Sequence, residues 1–412
     1  MGPLTSSSTH RVDDVTSHTG IRTVSIIGAG VMGRAIAACS VRNGHRVRIA
    51  DANPQAATDA VREIQTAASW GSIKEPHFAR SSFSPIVIVA TTDKDLEDSD
   101  LVIEAVPERL EIKRTILSRI EPHLRQDTVI ASNTSSIPIS TMAGALQSPA
   151  RLCGLHFCHP VSERPLVEVI AAVTTSIETQ QRAFAYAASL GKSPVVVRDS
   201  PGFVLNRILS PYLTEALELL LEGTDVSLLD ETALEFGMPC GPLRHLDAFG
   251  IDVSLEVGRT LLRAFPDRFV PSELLIAMYK AGRRGCKTGD GFYAANDDRL
   301  AFAVRDIIDQ RSRRSHDMTA DDVRRRLFLP MFLEATRVLE ETVVDTPAII
   351  DTVLRDGLGM TSEYPGLFGW ADAHGAGTLL EWLHPVRPHG ARFEPTSLLK
   401  TAAANGETFL RA

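Results

Sequence analysis

An α/β half built on parallel strands, followed by an all-helical half, is the fold class this sequence predicts. Three observations carry it. Eight short apolar runs alternate with amphipathic stretches between residues 22 and 199, and such alternation gives a mostly parallel sheet covered by helices on both faces. After Pro201 the β-type runs nearly vanish and helical spacing takes over. At 412 residues the chain exceeds what one hydrophobic core supports, so two or three domains are expected.

Composition narrows the function classes. With 44% hydrophobic and 23% charged residues the chain reads as an ordinary globular protein. A net charge of −8 and a pI near 5.9 argue against a nucleic-acid partner. No apolar stretch approaches the ~20 residues that span a bilayer, so no membrane partner is expected either. The cysteines Cys39, Cys153, Cys158, Cys240 and Cys286 are scattered and odd in number. They read as reduced thiols in a cytoplasmic protein rather than a disulfide framework. Residues 1–20 are polar, with Asp13 and Asp14, and predict a disordered tail rather than a secretory or mitochondrial leader.

The first strand is expected at 24–27, stopping at Gly28-Ala29-Gly30-Val31-Met32-Gly33. Gly28 allows the tight turn, Gly30 lets a pyrophosphate approach the backbone, and Gly33 lets the next helix pack on the strand. Helix-forming residues follow from Arg34, so the phosphates would meet a helix N-terminus, with Val31 and Met32 in the cradle. The second run, 47–50, ends at Asp51. Its carboxylate can accept both hydroxyls of an adenosine ribose and would repel a 2′-phosphate. Strand, glycine turn, helix and acid together make a Rossmann-type start for NAD. Further strands are expected at 86–90, 101–105, 129–132, 152–157, 166–170 and 195–197. Helices are expected at 56–68, 107–120 and 176–190, the whole forming a nucleotide domain over 21–199.

Three polar clusters sit where such a sheet faces its ligand. Ser132-Asn133-Thr134-Ser135-Ser136 follows a strand and suits either a substrate contact or a helix N-cap; spacing leaves both open. His156-Phe157-Cys158-His159-Pro160 ends another strand, and Glu168 lies inside the next apolar run. An acid there needs a partner, and a histidine on the neighbouring strand would supply it. A carboxylate on one imidazole nitrogen leaves the other free to accept a proton. No second ligand cluster accompanies these residues, so no metal is expected. The third cluster, Asp199 to Arg207, turns at Pro201-Gly202 and places Asn206 early in a helix.

Helical spacing then runs over 205–221 and in shorter pieces to Tyr279, closing at a breaker-rich stretch, 282–291. A first helical domain is expected over 200–296. A connector follows over 297–319, and about its end Arg311, Arg313 and Arg314 lie near Asp317, Asp321 and Asp322 as a solvated stretch or helix face. The chain then repeats itself over 320–412. At an offset of 119 residues, Arg207 meets Arg326, Pro211 meets Pro330, Glu215 meets Glu334 and Ala216 meets Ala335. Leu220 meets Leu339, Glu222 meets Glu341, and Phe249-Gly250 meets Phe368-Gly369. Two related helical units packed as an intrachain pseudo-dimer are the physical reading, and a homodimer is compatible with it. Asn206 falls against Arg325, so the second copy reads as structural.

The three clusters, in this order after a GxGxMG turn, resemble the 3-hydroxyacyl-CoA dehydrogenase family. The resemblance runs from about Val24 to Tyr293 and includes Ile103-Glu104-Ala105-Val106-Pro107-Glu108 and Lys287-Thr288-Gly289-Asp290-Gly291-Phe292-Tyr293. The duplicated tail is similar to long bacterial members and to the dehydrogenase portion of multifunctional enzymes of β-oxidation. The resemblance implies His156 as general base, Glu168 as its orienting acid, and Ser135 and Asn206 on the reacting oxygen and thioester. It implies Asp51 on the ribose, with Glu108, Lys113 and Lys287 around the nicotinamide half of NAD. The substrate implied is an (S)-3-hydroxyacyl-CoA. Two departures bear on it. His159 stands where the family usually has Asn, so an imidazole replaces an amide near the substrate or nicotinamide. The segment 52–92 is shorter and less basic than the family's coenzyme-A-binding hairpin, with Arg62, Lys74 and Arg80 among the breakers Gly71, Pro76 and Pro85. A carrier-protein-bound acyl group or a free hydroxy acid is the alternative substrate, and a nucleotide-binding scaffold without turnover is the alternative class.

Overall fold

The computed structural model describes residues 20–69, 86–294, 299–313, 318–361 and 363–410. The expected tail (but for Gly20), Gly71, Lys74, Pro76, Arg80, Pro85, Arg314 and Asp317 lie outside the described residues. Two compact units emerge. One runs up to Thr134 and again over Ile139–Val196; the other consists of Ser135–Pro138 and the chain from Val197 on.

The first unit holds the sheet. Its strands are β1 (Thr23–Ile27), β2 (Arg46–Ala50), β3 (Val87–Val89), β4 (Leu101–Glu104), β5 (Val129–Ser132), β6 (Leu152–Phe157), β7 (Leu166–Ala171) and β8 (Ser193–Arg198). They lie in the order β3-β2-β1-β4-β5-β6-β7-β8, at the eight places expected. Every pairing from β3 to β6 is parallel, and β6–β7 is antiparallel. Helices α1 (Val31–Arg42), α2 (Pro54–Ser69), α3 (Leu110–Ile120), α4 (Ile139–Ala143) and α5 (Ile177–Ser189) connect them. Strands so covered are apolar on both faces, and Ile26, Ile49, Ile103, Ala131 and Leu155 sit together in the core. The strand order reverses between β1 and β4, which opens a crevice at their carboxyl ends. The short return from β6 to β7 sets His156 directly opposite Glu168 in register.

The second unit is helical, with α6 (Leu205–Leu221), α7 (Val226–Glu235), α8 (Pro242–Phe249), α9 (Ile251–Ala264), α10 (Glu273–Lys280) and α11 (Phe302–Asp309). Then come α12 (Ala320–Glu340), α13 (Pro347–Leu354), α14 (Gly366–His374), α15 (Ala376–Val386) and α16 (Ser397–Asn405). The segment read as a connector therefore contains a helix, α11. Asp322 closes a capping box with Thr319 at the start of α12, where acidic side chains also complement the helix dipole.

Long helices α6 and α12 exchange buried charges reciprocally. Arg207 pairs with Glu334 (2.6 Å) and Glu341 (2.7 Å), while Arg326 pairs with Glu215 (2.8 Å) and Glu222 (3.0 Å). Beyond these helices the constant offset of 119 fails. Gly250 (φ 96°) is the junction between α8 and α9, but Gly369 lies inside α14, and the junction there is Gly375 (φ 83°). The match of Gly250 to Gly369 is thus corrected to Gly375. Asp247 accepts the N–H groups of Phe292 and Tyr293, and Asp372 accepts those of Phe409 and Leu410. Arg325 lies over the Trp382 ring, 5.1 Å from its centroid. No helix among the described residues is long and apolar enough to cross a membrane.

Candidate active site

At the turn after β1, Gly28 has φ 112°, and a Cβ there would meet the Ala105 carbonyl oxygen at 2.5 Å. A Cβ on Gly33 would fall 1.8 Å from the Gly28 carbonyl oxygen, so no larger residue fits either position. Gly30 is different: space around it is open, and it caps α1 without any side-chain hydrogen bond. Bare backbone at an uncapped helix N-terminus suits a pyrophosphate. Val31 and Met32 form the first turn of that helix. At the end of β2, Asp51 accepts the Ala29 N–H (2.7 Å) on one oxygen and the Asn53 N–H (2.8 Å) on the other. These bonds fix the carboxylate beside the glycine turn, where an adenosine ribose would lie. The residues fit NAD.

At the end of β6, His156 Nδ1 lies 2.6 Å from Glu168 Oε2. Glu168 is fully buried and His156 nearly so. A carboxylate can only accept, so it draws the proton onto Nδ1 and leaves Nε2 with its lone pair. Burial pushes the Cys158 thiol far up, so it stays protonated. Burial also lowers the His159 pKa, against the opposite pull of Glu163. Its buried Nδ1 has no hydrogen-bond partner among the described residues. His159 is thus a neutral imidazole with an open nitrogen in the loop after β6.

A third group of residues lies where β4 and β5 end. Glu104, fully buried, accepts the Val106 N–H (2.7 Å), the Ser132 hydroxyl (2.6 Å) and both contacts of Lys113 Nζ (2.9 and 3.1 Å). Lys113 also reaches Glu108 Oε2 (3.2 Å) and the Val106 carbonyl (3.4 Å). Burial opposes its charge, but Glu104 and Glu108 outweigh that and hold its pKa above the ordinary value. Thr134 donates to Glu108 at 2.6 Å. Two hydroxyls of the 132–136 cluster, Ser132 and Thr134, therefore serve carboxylates of the first unit. Glu104 was missed among the candidate site residues. Its signal was present, since it is an acid closing an apolar run, the same feature that singled out Glu168.

In the second unit, Asn206 in the first turn of α6 donates Nδ2–H to the Ser135 carbonyl at 2.7 Å. The Gly202 N–H donates to the Ser136 carbonyl at 3.1 Å. Lys287 forms an ion pair with Asp252 of α9. The structure thus joins His156 to Glu168, Lys113 to Glu108, and Ser135 to Asn206, each within its own unit.

Residues 23–200 match the family model described as 3-hydroxyacyl-CoA dehydrogenase, NAD binding domain, and residues 202–295 match the C-terminal domain of that family. Among solved structures, a 3-hydroxybutyryl-CoA dehydrogenase from Escherichia coli is similar over 93% of this chain and 98% of its own, at 26% identity and a TM-score of 0.78. An (S)-3-hydroxybutyryl-CoA dehydrogenase from Ralstonia eutropha matches 67% of this chain and all of its own, at 36% identity and a TM-score of 0.61. The dehydrogenase part of a multifunctional enzyme from C. elegans matches 93% of this chain and 89% of its own, at 26% identity and a TM-score of 0.62.

Proposed function

The chain belongs to the 3-hydroxyacyl-CoA dehydrogenase family, and on that premise we propose that it interconverts (S)-3-hydroxyacyl-CoA and 3-oxoacyl-CoA with NAD. The single observation that carries the reading is the buried His156–Glu168 pair at a strand end of the NAD-binding unit. When bound, NAD supplies the hydride acceptor. His156 takes the 3-hydroxyl proton on Nε2, and Glu168 holds the ring and stabilises the imidazolium that forms. Asn206 spends one N–H on the Ser135 carbonyl; its other N–H and the Ser135 hydroxyl serve the substrate. Gly28, Gly30, Val31, Met32 and Gly33 receive the pyrophosphate and Asp51 the ribose, with Glu108, His159 and Lys287 on the nicotinamide side. Two similar structures are of 3-hydroxybutyryl-CoA dehydrogenases, which favours a short acyl chain.

The reciprocal Arg–Glu pairs of α6 and α12 support reading the tail as two copies of one helical unit, since each copy offers the other the same residues. The five cysteines form no disulfide among the described residues, which supports a reducing, cytoplasmic location.

The test is NADH absorbance across an acyl-CoA panel, run beside free (S)-3-hydroxybutyrate and a carrier-bound acyl group. Turnover is expected on short acyl-CoA thioesters; turnover on free acids alone overturns the substrate assignment. His156→Ala should abolish turnover while NADH titration by fluorescence stays near wild type.

A further inference from the structure

We propose that Arg34 is a positioning residue for the pyrophosphate of the cofactor. It holds the Ala29 carbonyl on one side of the glycine turn and thereby aims the Gly30 N–H at the phosphates on the other. The proposal rests on NAD being the cofactor and adds a residue outside the glycine motif to the turn that receives it.

Ala29 stands between two glycines, Gly28 and Gly30. Glycine backbone is the least restrained in a chain, so the order of this turn has to come from hydrogen bonds. Both polar groups of Ala29 are engaged. Its N–H donates to Asp51 at 2.7 Å, and its carbonyl accepts from Arg34 Nε at 2.7 Å. The guanidinium is held in turn by α2, donating to Glu63 at 2.8 Å and to the Ala56 carbonyl at 3.5 Å. Glu63 is exposed, so this ion pair adds little stability. Its effect is to fix where the guanidinium lies.

The peptide joining Ala29 to Gly30 is trans, and the C=O and N–H of a trans peptide point in opposite directions within one plane. A carbonyl turned onto Arg34 therefore turns the Gly30 N–H the other way. That N–H has no hydrogen-bond partner among the described residues. Gly30 is exposed, and a Cβ built on it would meet nothing within 4 Å. The Gly30 N–H thus joins the unpaired N–H groups in the first turn of α1 as a donor for an anion. Arg34 works from behind the turn: Glu63 balances its charge and its Nε is spent on the backbone, so it acts through the peptide plane.

The test measures dissociation constants of the full-length protein for NADH, for ADP-ribose, which keeps the pyrophosphate, and for adenosine, which keeps only the ribose and base. Arg34→Met is combined with Glu63→Gln, so that the net charge is unchanged. The double variant should bind NADH and ADP-ribose about tenfold more weakly, the size of one hydrogen bond to a charged group, and adenosine within about twofold of wild type. An equal loss on all three ligands marks a merely structural Arg34 and overturns the proposal, as does undiminished binding of ADP-ribose. The tenfold ratio should persist from about 0.05 M to about 0.5 M salt; a ratio that collapses as salt rises marks direct attraction of the phosphates by the guanidinium and also overturns it. If the variant does not fold, the wild type decides by NMR. ADP-ribose should move the Gly30 amide proton downfield and adenosine should not, and an unmoved signal overturns the proposal. A wild type that binds neither NADH nor ADP-ribose would overturn the NAD reading and this proposal with it, whereas wild-type binding without loss in the variant overturns this proposal alone.

Discussion

Glu168→Gln keeps the shape of the side chain and removes its charge, so it isolates what the carboxylate does for His156. The two atoms are 2.6 Å apart and shielded from water. A hydrogen bond to a charged group is worth about 1.5–3 kcal/mol, and the Coulomb attraction between charge centres about 3.5 Å apart sets a ceiling near 5 kcal/mol at an effective dielectric of about 20. That stabilisation is largest when the ring has taken the proton, so it is lost mainly from the transition state. At about 1.4 kcal/mol per decade, a loss near 3 kcal/mol lowers kcat by about a hundredfold. The amide can also turn its N–H toward Nδ1, which would place the ring proton on Nε2 and block the base. NADH absorbance with a 3-hydroxyacyl-CoA measures kcat, and fluorescence titration measures NADH affinity, which should stay within about twofold. A variant with kcat within about threefold of wild type would refute the role given to the pair.

Two further outcomes concern stability. Arg207→Met takes one cation from buried Glu334, which keeps Arg268 and Arg337, so it should cost about 1.5–3 kcal/mol, the worth of a hydrogen bond to a charged group; Arg326→Met, which leaves Glu215 with Arg392, should cost the same to within about 1 kcal/mol. Urea unfolding of both variants checks this, and unequal losses would break the symmetry argument. Burial holds His45 down at about 4, from an ordinary value of 6.5. Below pH 6.5 the unfolded chain binds a proton there that the folded chain refuses, so stability should fall by up to about 3 kcal/mol as pH drops toward 4. His45→Gln should flatten that part of the curve, and parallel curves for the two proteins would sink the assignment.

Much of the sheet was legible because its signals are local. The glycines at 28, 30 and 33 and the acid at 51 announce a turn, a phosphate cradle and a ribose contact within thirty residues. Apolar runs marked all eight strands. What sequence could not show is where long side chains turn. Lys113 lies on an ordinary amphipathic helix, and only the position of Glu104 on a separate strand draws it inward. The tail repeat was legible along α6 and α12, where no insertion intervenes. It drifted afterwards because residues 355–365 connect α13 to α14, against the shorter 236–241 between α7 and α8. A constant offset cannot follow a longer connection, part of it the π-helical segment Arg355–Gly359, and so it aligned Gly250 with a glycine in the middle of a helix.

The four residues Ser135–Pro138 group with the helical unit although the chain on both sides of them belongs to the other. The polypeptide therefore leaves its first unit, comes back and leaves again at Val197, so no single cut separates the halves. Cassette-style swapping of tails between relatives would carry Asn206 away from the Ser135 carbonyl it was matched to. Any chimera joined near residue 197 must import that short detour along with the tail.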